Sequence, residues 1–255
     1  MATLLALPLL PVLYLQSKIV RAKVPILPEA KGPSGKSNSS TSDELDVLII
    51  GESTIAGVGV DTHEEGFAGA FAKALSDQFN TTVNWKVAAK SGFTAKDVRD
   101  KIIPTLDKGK ADIILIGLGG NDTFTLTHPK KWQRHIKNLI SDLREIYPSS
   151  PVVFLNMPPI ADFPAFPPLM QKILGAQVDY LSNALSIAIE GFHDVYYSSE
   201  KITLNKWLER LNMDAPSTVF FSDGVHPTKL TYETWARETA MFIQANAILN
   251  RTTDL

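Results

Sequence analysis

Apolar residues in this chain alternate between short unbroken runs and helical spacing. Val47 to Ile50 is an unbroken apolar run that stops at Gly51, the pattern of a buried strand ending in a tight turn. The first strand therefore spans Leu45 to Gly51. Phe67, Ala70, Phe71, Ala74, Leu75 and Phe79 then fall on one helical face. Thr82 to Val87 reads as a second strand. Thr94 is a good N-cap with Asp97 as its capping-box partner, and Val98, Ile102, Ile103 and Leu106 make the stripe of that helix. Ile113 to Ile116 is a third strand, apolar throughout, as expected where both faces are covered. Trp132, Ile136, Leu139, Ile140, Leu143 and Ile146 mark a long helix, and Pro151 to Leu155 a fourth strand. A proline-rich loop, Met157 to Pro168, precedes a helix over Leu169–Ile189. Asp194 to Tyr197 is a short fifth strand, Leu204 to Leu211 a small helix, and Leu230 to Leu249 the last helix, with Trp235, Ala236, Ile243 and Ala247 inward. This alternation predicts an α/β domain with a five-stranded parallel sheet and helices on both faces.

Outside that alternation the pattern changes. Residues 31–44 (KGPSGKSNSSTSDE) read as a linker or surface loop, and the folded domain spans 45–255. Residues 1–30 form an apolar N-terminal segment. Leu4 to Leu15 is almost wholly apolar but too short to span a bilayer, which takes roughly 18 residues or more. The basic residues Lys18, Arg21 and Lys23 follow it rather than precede it, the wrong order for a standard cleaved signal. Packing on the fold or peripheral contact with a membrane interface through residues 4–15 is the first expectation, an atypical signal or anchor the second, and disorder the third. Net charge is −2, so there is no nucleic-acid footprint. The chain has no cysteine, which excludes disulfides, thiolate metal sites and a cysteine nucleophile. For the compartment, cytoplasmic or membrane-associated is the first expectation and secreted or periplasmic the second. Oligomeric state is not legible.

In open α/β sheets, ligands bind beyond the carboxyl ends of the strands. Ser53 follows the first strand there. After the second comes Ala88-Ala-Lys-Ser-Gly92-Phe-Thr94, and after the third Gly117-Leu-Gly-Gly-Asn121-Asp122. Before the last helix stands Ser222-Asp223-Gly-Val-His226-Pro-Thr228, whose Gly224 and Pro227 favour a turn that lets Asp223 meet His226. A carboxylate on one imidazole nitrogen leaves the other free to take a serine proton. Ser53 is thus the candidate nucleophile, His226 the base and Asp223 its orienting acid. The N–H groups of Ser53 and Gly92 and the amide of Asn121 are candidate oxyanion donors, each commonly worth roughly 3 kcal/mol in the transition state.

On these residues the chain resembles the SGNH branch of the GDSL hydrolases, esterases and lipases named for a Ser, Gly, Asn and His in separate blocks. The blocks are Gly51-Glu52-Ser53, Gly92, Gly119-Gly120-Asn121-Asp122 and Asp223-Gly224-Val225-His226. Order and spacing agree from about Asp46 to the end of the last helix. The resemblance implies a three-layer α/β/α flavodoxin-like fold and ester hydrolysis through an acyl-serine, with no cofactor and no metal. It also implies the same nucleophile, base, acid and oxyanion donors. Two positions depart from the family pattern: Glu52 stands for the usual Asp and Thr54 for the usual Leu.

Competing readings are weaker. No Gly-Lys-Ser/Thr follows Gly51–Gly59, so a phosphate loop lacks its lysine and magnesium hydroxyl. His63, His128, His135 and His193 have no paired metal spacing. Phe163 and Phe166 in the proline-rich loop either cap the core or, with Phe124, wall an acyl pocket. The expected function is a serine carboxylesterase for small-to-medium acyl esters, with a small-molecule ester as its partner. A lysophospholipase, thioesterase or carbohydrate acetylesterase fits the same residues. From another class, a catalytically idle flavodoxin-like binding protein would explain the altered Glu52-Ser53-Thr54 block but need not keep all five site residues.

Overall fold

The computed structural model describes residues 10–249. Of the apolar run Leu4–Leu15, residues 4–9 lie outside the described residues. Six strands form one sheet: β1 (Ser34–Ser37), β2 (Glu44–Gly51), β3 (Thr82–Ala89), β4 (Ile113–Gly117), β5 (Val152–Phe154) and β6 (Val195–Tyr197), in spatial order β1-β3-β2-β4-β5-β6. The last five are parallel, as expected. The sheet is nevertheless mixed and six-stranded, because β1 adds an antiparallel edge to β3. Part of the expected 31–44 linker is therefore ordered in the sheet. Gly35 makes this pairing fit: a Cβ there would lie 2.3 Å from the indole of Trp85.

Helices cover both faces. After α1 (Leu10–Lys23), α2 (Phe67–Phe79) and α8 (Lys229–Ala245) pack on one, and α3 (Ala95–Lys101), α5 (Pro129–Ile146) and α6 (Pro168–Ile189) on the other, with the short α4 (Gly120–Phe124) following β4 and α7 (Leu204–Arg210) following β6. Side chains of a strand point alternately to its two faces. Val47 and Ile49 of β2 accordingly enter the core with Phe67, Phe71, Leu75 and Trp235, while Leu48 and Ile50 enter the core with Trp132, Ile136 and Leu181. That two-sided burial explains the unbroken apolar run. α8 stops at Ala245, so Ala247 is exposed at φ +49, and Ile248 turns inward in its place.

β2 sits between β3 and β4, and its end is level with both: Gly51 pairs with Ala89 on one side and Gly117 on the other. The chain visits β3 on one side and β4 on the other, so the end of β2 is the topological switch point where a crevice opens.

The expected capping box on α3 is present. Thr94 Oγ1 accepts from Asp97 N, and Asp97 Oδ2 accepts from Thr94 N at 3.1 Å. A hydrogen bond from Lys101, then one from Thr94, outweighs desolvation and holds the Asp97 carboxyl at about 2. Thr94→Ala should cost about 1 kcal/mol of stability. Urea unfolding checks this; an unchanged midpoint would show that the cap contributes nothing.

Candidate active site

The loops beyond β2, β3 and β4 meet at the switch point. After Gly51 the chain makes a helical turn in which Ala56 N donates to Glu52 O at 2.8 Å and Val58 N to Ser53 O at 3.1 Å. This turn lifts Ser53 off the sheet. The N–H groups of Ser53 and of Gly92, which lies at φ +82, donate to no acceptor among the described residues. Two unpaired donors at one sheet end are what a developing oxyanion requires.

Glu52 joins the loops. It is buried, 5% exposed. Its Oε1 accepts from Gly120 N at 2.6 Å, and its Oε2 accepts from Asn121 N at 2.9 Å and from Asn121 Nδ2 at 2.6 Å. Asn121 Nδ2 also donates to Phe93 O at 3.0 Å, so both amide hydrogens point at acceptors, which fixes the side-chain orientation. The oxyanion asparagine expected from sequence is therefore held by protein groups in this state. Burial raises the Glu52 carboxyl to about 7, against the pull of the Asn121 and Gly120 N–H groups and with help from the Asp122 charge. Asp122 accepts from Ala95 N at 2.8 Å and so ties the same loop to the start of α3. Burial raises its carboxyl as well.

Asp223 and His226 come together as predicted. Asp223 Oδ2 lies 2.7 Å from His226 Nδ1, while Oδ1 accepts from Val225 N at 2.9 Å and His226 N at 2.7 Å. Burial pushes Asp223 up, but the His226 ring and these backbone donors prevail and hold its carboxyl below the usual range. The carboxylate faces Nδ1, which leaves Nε2 as the acceptor nitrogen. The turn itself is closed by Ser222 N donating to His226 O at 2.8 Å. Gly59 lets the serine turn approach it: a Cβ there would lie 2.4 Å from Pro227 O. The Tyr232 hydroxyl on α8 donates to Val58 O at 2.8 Å and clamps the same junction. Asp223 and His226 are hydrogen-bonded, whereas Ser53 and His226 are not bonded to each other.

His226 borders a cavity of about 750 Å³ whose wall includes Val58, Ser91, Phe124, Phe166, Met170 and Leu174. Phe124 and Phe166 pack edge to face at 5.9 Å. Phe163 is not on the wall. It is 5% exposed and supports Phe166 from behind at 5.4 Å, so it caps the core, whereas Phe166 does both jobs.

Two contributors were not legible in the sequence. Glu29 Oε1 accepts from Ser91 N at 2.7 Å and its Oε2 from Lys90 Nζ at 2.9 Å, which pins the loop that carries Gly92. The neighbouring Ala30 N donates to Ala56 O at 2.9 Å, so the same segment braces the serine turn. The second is helix α1 (Leu10–Lys23), which closes the far side of the cavity with Leu13, Tyr14 and Val20. Only the apolar character of that helix was a signal; an acid paired with a loop some sixty residues away leaves none.

Residues 49–234 match the family described as GDSL-like lipase/acylhydrolase. Among curated proteins none matches. Among solved structures, the chain is similar to a lipase, Lip_vut3, from a goat rumen metagenome (21% identity, TM-score 0.55, covering 77% of this chain and 96% of that one). It is also similar to a Clostridium thermocellum family 3 carbohydrate esterase (14%, 0.57, 81% and 98%). A third is an extracellular lipase from Streptomyces rimosus (15%, 0.54, 78% and 98%). These identities establish a shared fold.

Glu52 makes a prediction with a definite sign. Its carboxyl ionises near 4.5 in a free chain and about 7 in the fold. Between those values the folded state keeps a proton that the unfolded state has lost, so its contribution falls as pH rises through the window. The stability difference between wild type and Glu52→Gln should therefore shift against wild type from pH 4.5 to about 7, by on the order of 2–3 kcal/mol. Urea unfolding of both proteins across that range measures it, and a constant difference contradicts the assignment.

Proposed function

The chain belongs to the GDSL-like lipase/acylhydrolase family and is an ester hydrolase; on that premise we propose that it is a serine carboxylesterase acting on small-to-medium acyl esters. The observation that carries this reading is the 2.7 Å Asp223–His226 pair, set at a cavity whose rim carries the serine turn and the Gly92 loop. Ser53 Oγ attacks the ester carbonyl carbon. His226 Nε2 takes the hydroxyl proton and passes it to the leaving alkoxide, which departs as the alcohol. Water, deprotonated by the same nitrogen, then attacks the acyl-serine. The carboxylic acid leaves and Ser53 recovers its proton.

The unpaired N–H groups of Ser53 and Gly92 support the two backbone oxyanion contacts. For the third, Asn121 Nδ2 exchanges its 3.0 Å bond to Phe93 O for the oxyanion and keeps the shorter one to Glu52. A carboxylate acceptor orients that amide more strongly than a neutral one, since charge-assisted bonds are roughly twice as strong. The acyl chain lies along Phe124, Phe166, Met170 and Leu174, and this largely apolar wall suits a hydrocarbon better than a sugar.

Hydrolysis of a p-nitrophenyl ester chain-length series tests this reading. Ser53→Ala should remove turnover at every chain length. Asn121→Ala should lower kcat by roughly 100- to 1000-fold with little change in KM. Turnover that survives Ser53→Ala, or is near normal in Asn121→Ala, would overturn it.

A further inference from the structure

Helix α1 buries only a narrow seam. Leu13 and Val20 are 8% exposed and, with Val24 beside them, rest on Ile160, Phe166, Met170 and Leu174. The rest of its surface is unusually apolar for a helix facing water. Among the described residues nine large hydrophobic side chains are exposed, and five of them (Val12, Tyr14, Leu15, Ile19 and Ile26) lie in this one stretch. Val12, Leu15 and Ile19 stand at i, i+3 and i+7, so they share one face. That face points away from the cavity, because none of the three lines it, whereas Leu13, Tyr14, Ser17, Lys18 and Arg21 do.

The charges on the helix have one sign. Lys18, Arg21 and Lys23 are exposed, and the helix contains no acid. Lys18 sits 4.8 Å from the centre of the Tyr14 ring. An apolar stripe flanked by basic side chains and an aromatic residue is the composition of a helix that lies in a lipid interface. At 14 residues α1 is about 21 Å long by the helical rise, and none of the described helices is long and apolar enough to cross a membrane. The sequence before it, Leu4-Leu-Ala-Leu-Pro-Leu9, continues the apolar character.

We propose that the outer face of α1 docks on an anionic phospholipid surface, with Val12, Leu15 and Ile19 entering the acyl boundary and Lys23, with Lys18 at the edge of that face, meeting the lipid phosphates. Basic residues near an anionic leaflet contribute about fivefold each, so two favour such a surface on the order of thirtyfold over a zwitterionic one. The inner face of the same helix walls the cavity that holds His226. Docking would therefore hold the helix that walls the acyl site at the membrane, where an ester with an apolar tail is concentrated. Membrane binding itself does not depend on catalysis.

Co-sedimentation of the full chain with vesicles of phosphatidylcholine alone, or containing phosphatidylglycerol, tests the proposal. Binding should favour the anionic vesicles on the order of thirtyfold and weaken as salt screens the charges. The double variant Leu15→Glu/Ile19→Glu should lose at least tenfold in affinity while keeping the wild-type melting temperature, since both side chains are exposed. Ser53→Ala should bind as wild type does, which separates this result from the fate of the esterase mechanism. Equal binding to both vesicles, undiminished binding of the double variant, or a concentration-dependent dimer that the double variant abolishes in place of vesicle binding would each overturn it.

Discussion

The Glu52 carboxylate accepts hydrogen bonds from Gly120 N, Asn121 N and Asn121 Nδ2 while almost wholly shielded from water, and through it the loop after β2 is locked to the loop after β4. Removing one partner from a buried charged network leaves the others uncompensated, so such a junction is costly to disturb. The position of Ser53, the next residue, follows from it. The loop after β3 is attached less directly, through the Phe93 carbonyl to Asn121 and through Glu29 to Ser91. The His226 turn approaches from the other side, braced by Asp223 and by the close passage of Gly59 against Pro227.

This arrangement gives the Glu-for-Asp departure at position 52 a physical meaning. The extra methylene does not displace the carboxylate from its task of holding the Gly120-Asn121 backbone. The same Oε2 that accepts from Asn121 N also takes a hydrogen of the Asn121 amide, at 2.6 Å. The N–H groups of Ser53 and Gly92 are thus unpaired among the described residues, whereas the Asn121 amide is engaged. An ionised Glu52 holds that amide more firmly than a protonated one, and the Glu52 carboxyl, raised to about 7, changes state near neutrality.

Much of the fold was legible because this sheet is buried on both faces. Val47 to Ile50 of β2 and Ile113 to Ile116 of β4 are apolar at every position and so stand out from the helices around them. β1 was not legible, since Ser-Gly-Lys-Ser carries no apolar residue and is held by its backbone against β3. The Asp223–His226 pair could be read because the partners stand three positions apart with a turn between them. The grip of Glu52 on Asn121 and of Glu29 on Ser91 could not, because each joins residues about sixty to seventy positions apart by hydrogen bonds that no local pattern encodes. In the proline-rich loop, the apolar pattern alone could not tell Phe166, which reaches the cavity, from Phe163, which stays behind it.

The proposed Ser53–His226 contact and the proposed release of Asn121 are both tested by one experiment, the crystal structure of the chain after reaction with a p-nitrophenyl alkylphosphonate. Phosphorus is expected on Ser53 Oγ, with the phosphoryl oxygen within about 3 Å of Ser53 N, Gly92 N and Asn121 Nδ2. The Phe93 carbonyl should have lost its bond from Asn121, while Glu52 keeps its own. A phosphonate on any other side chain, or a Ser53 adduct whose oxygen turns away while Asn121 stays bound to both Glu52 and Phe93, would contradict the mechanism.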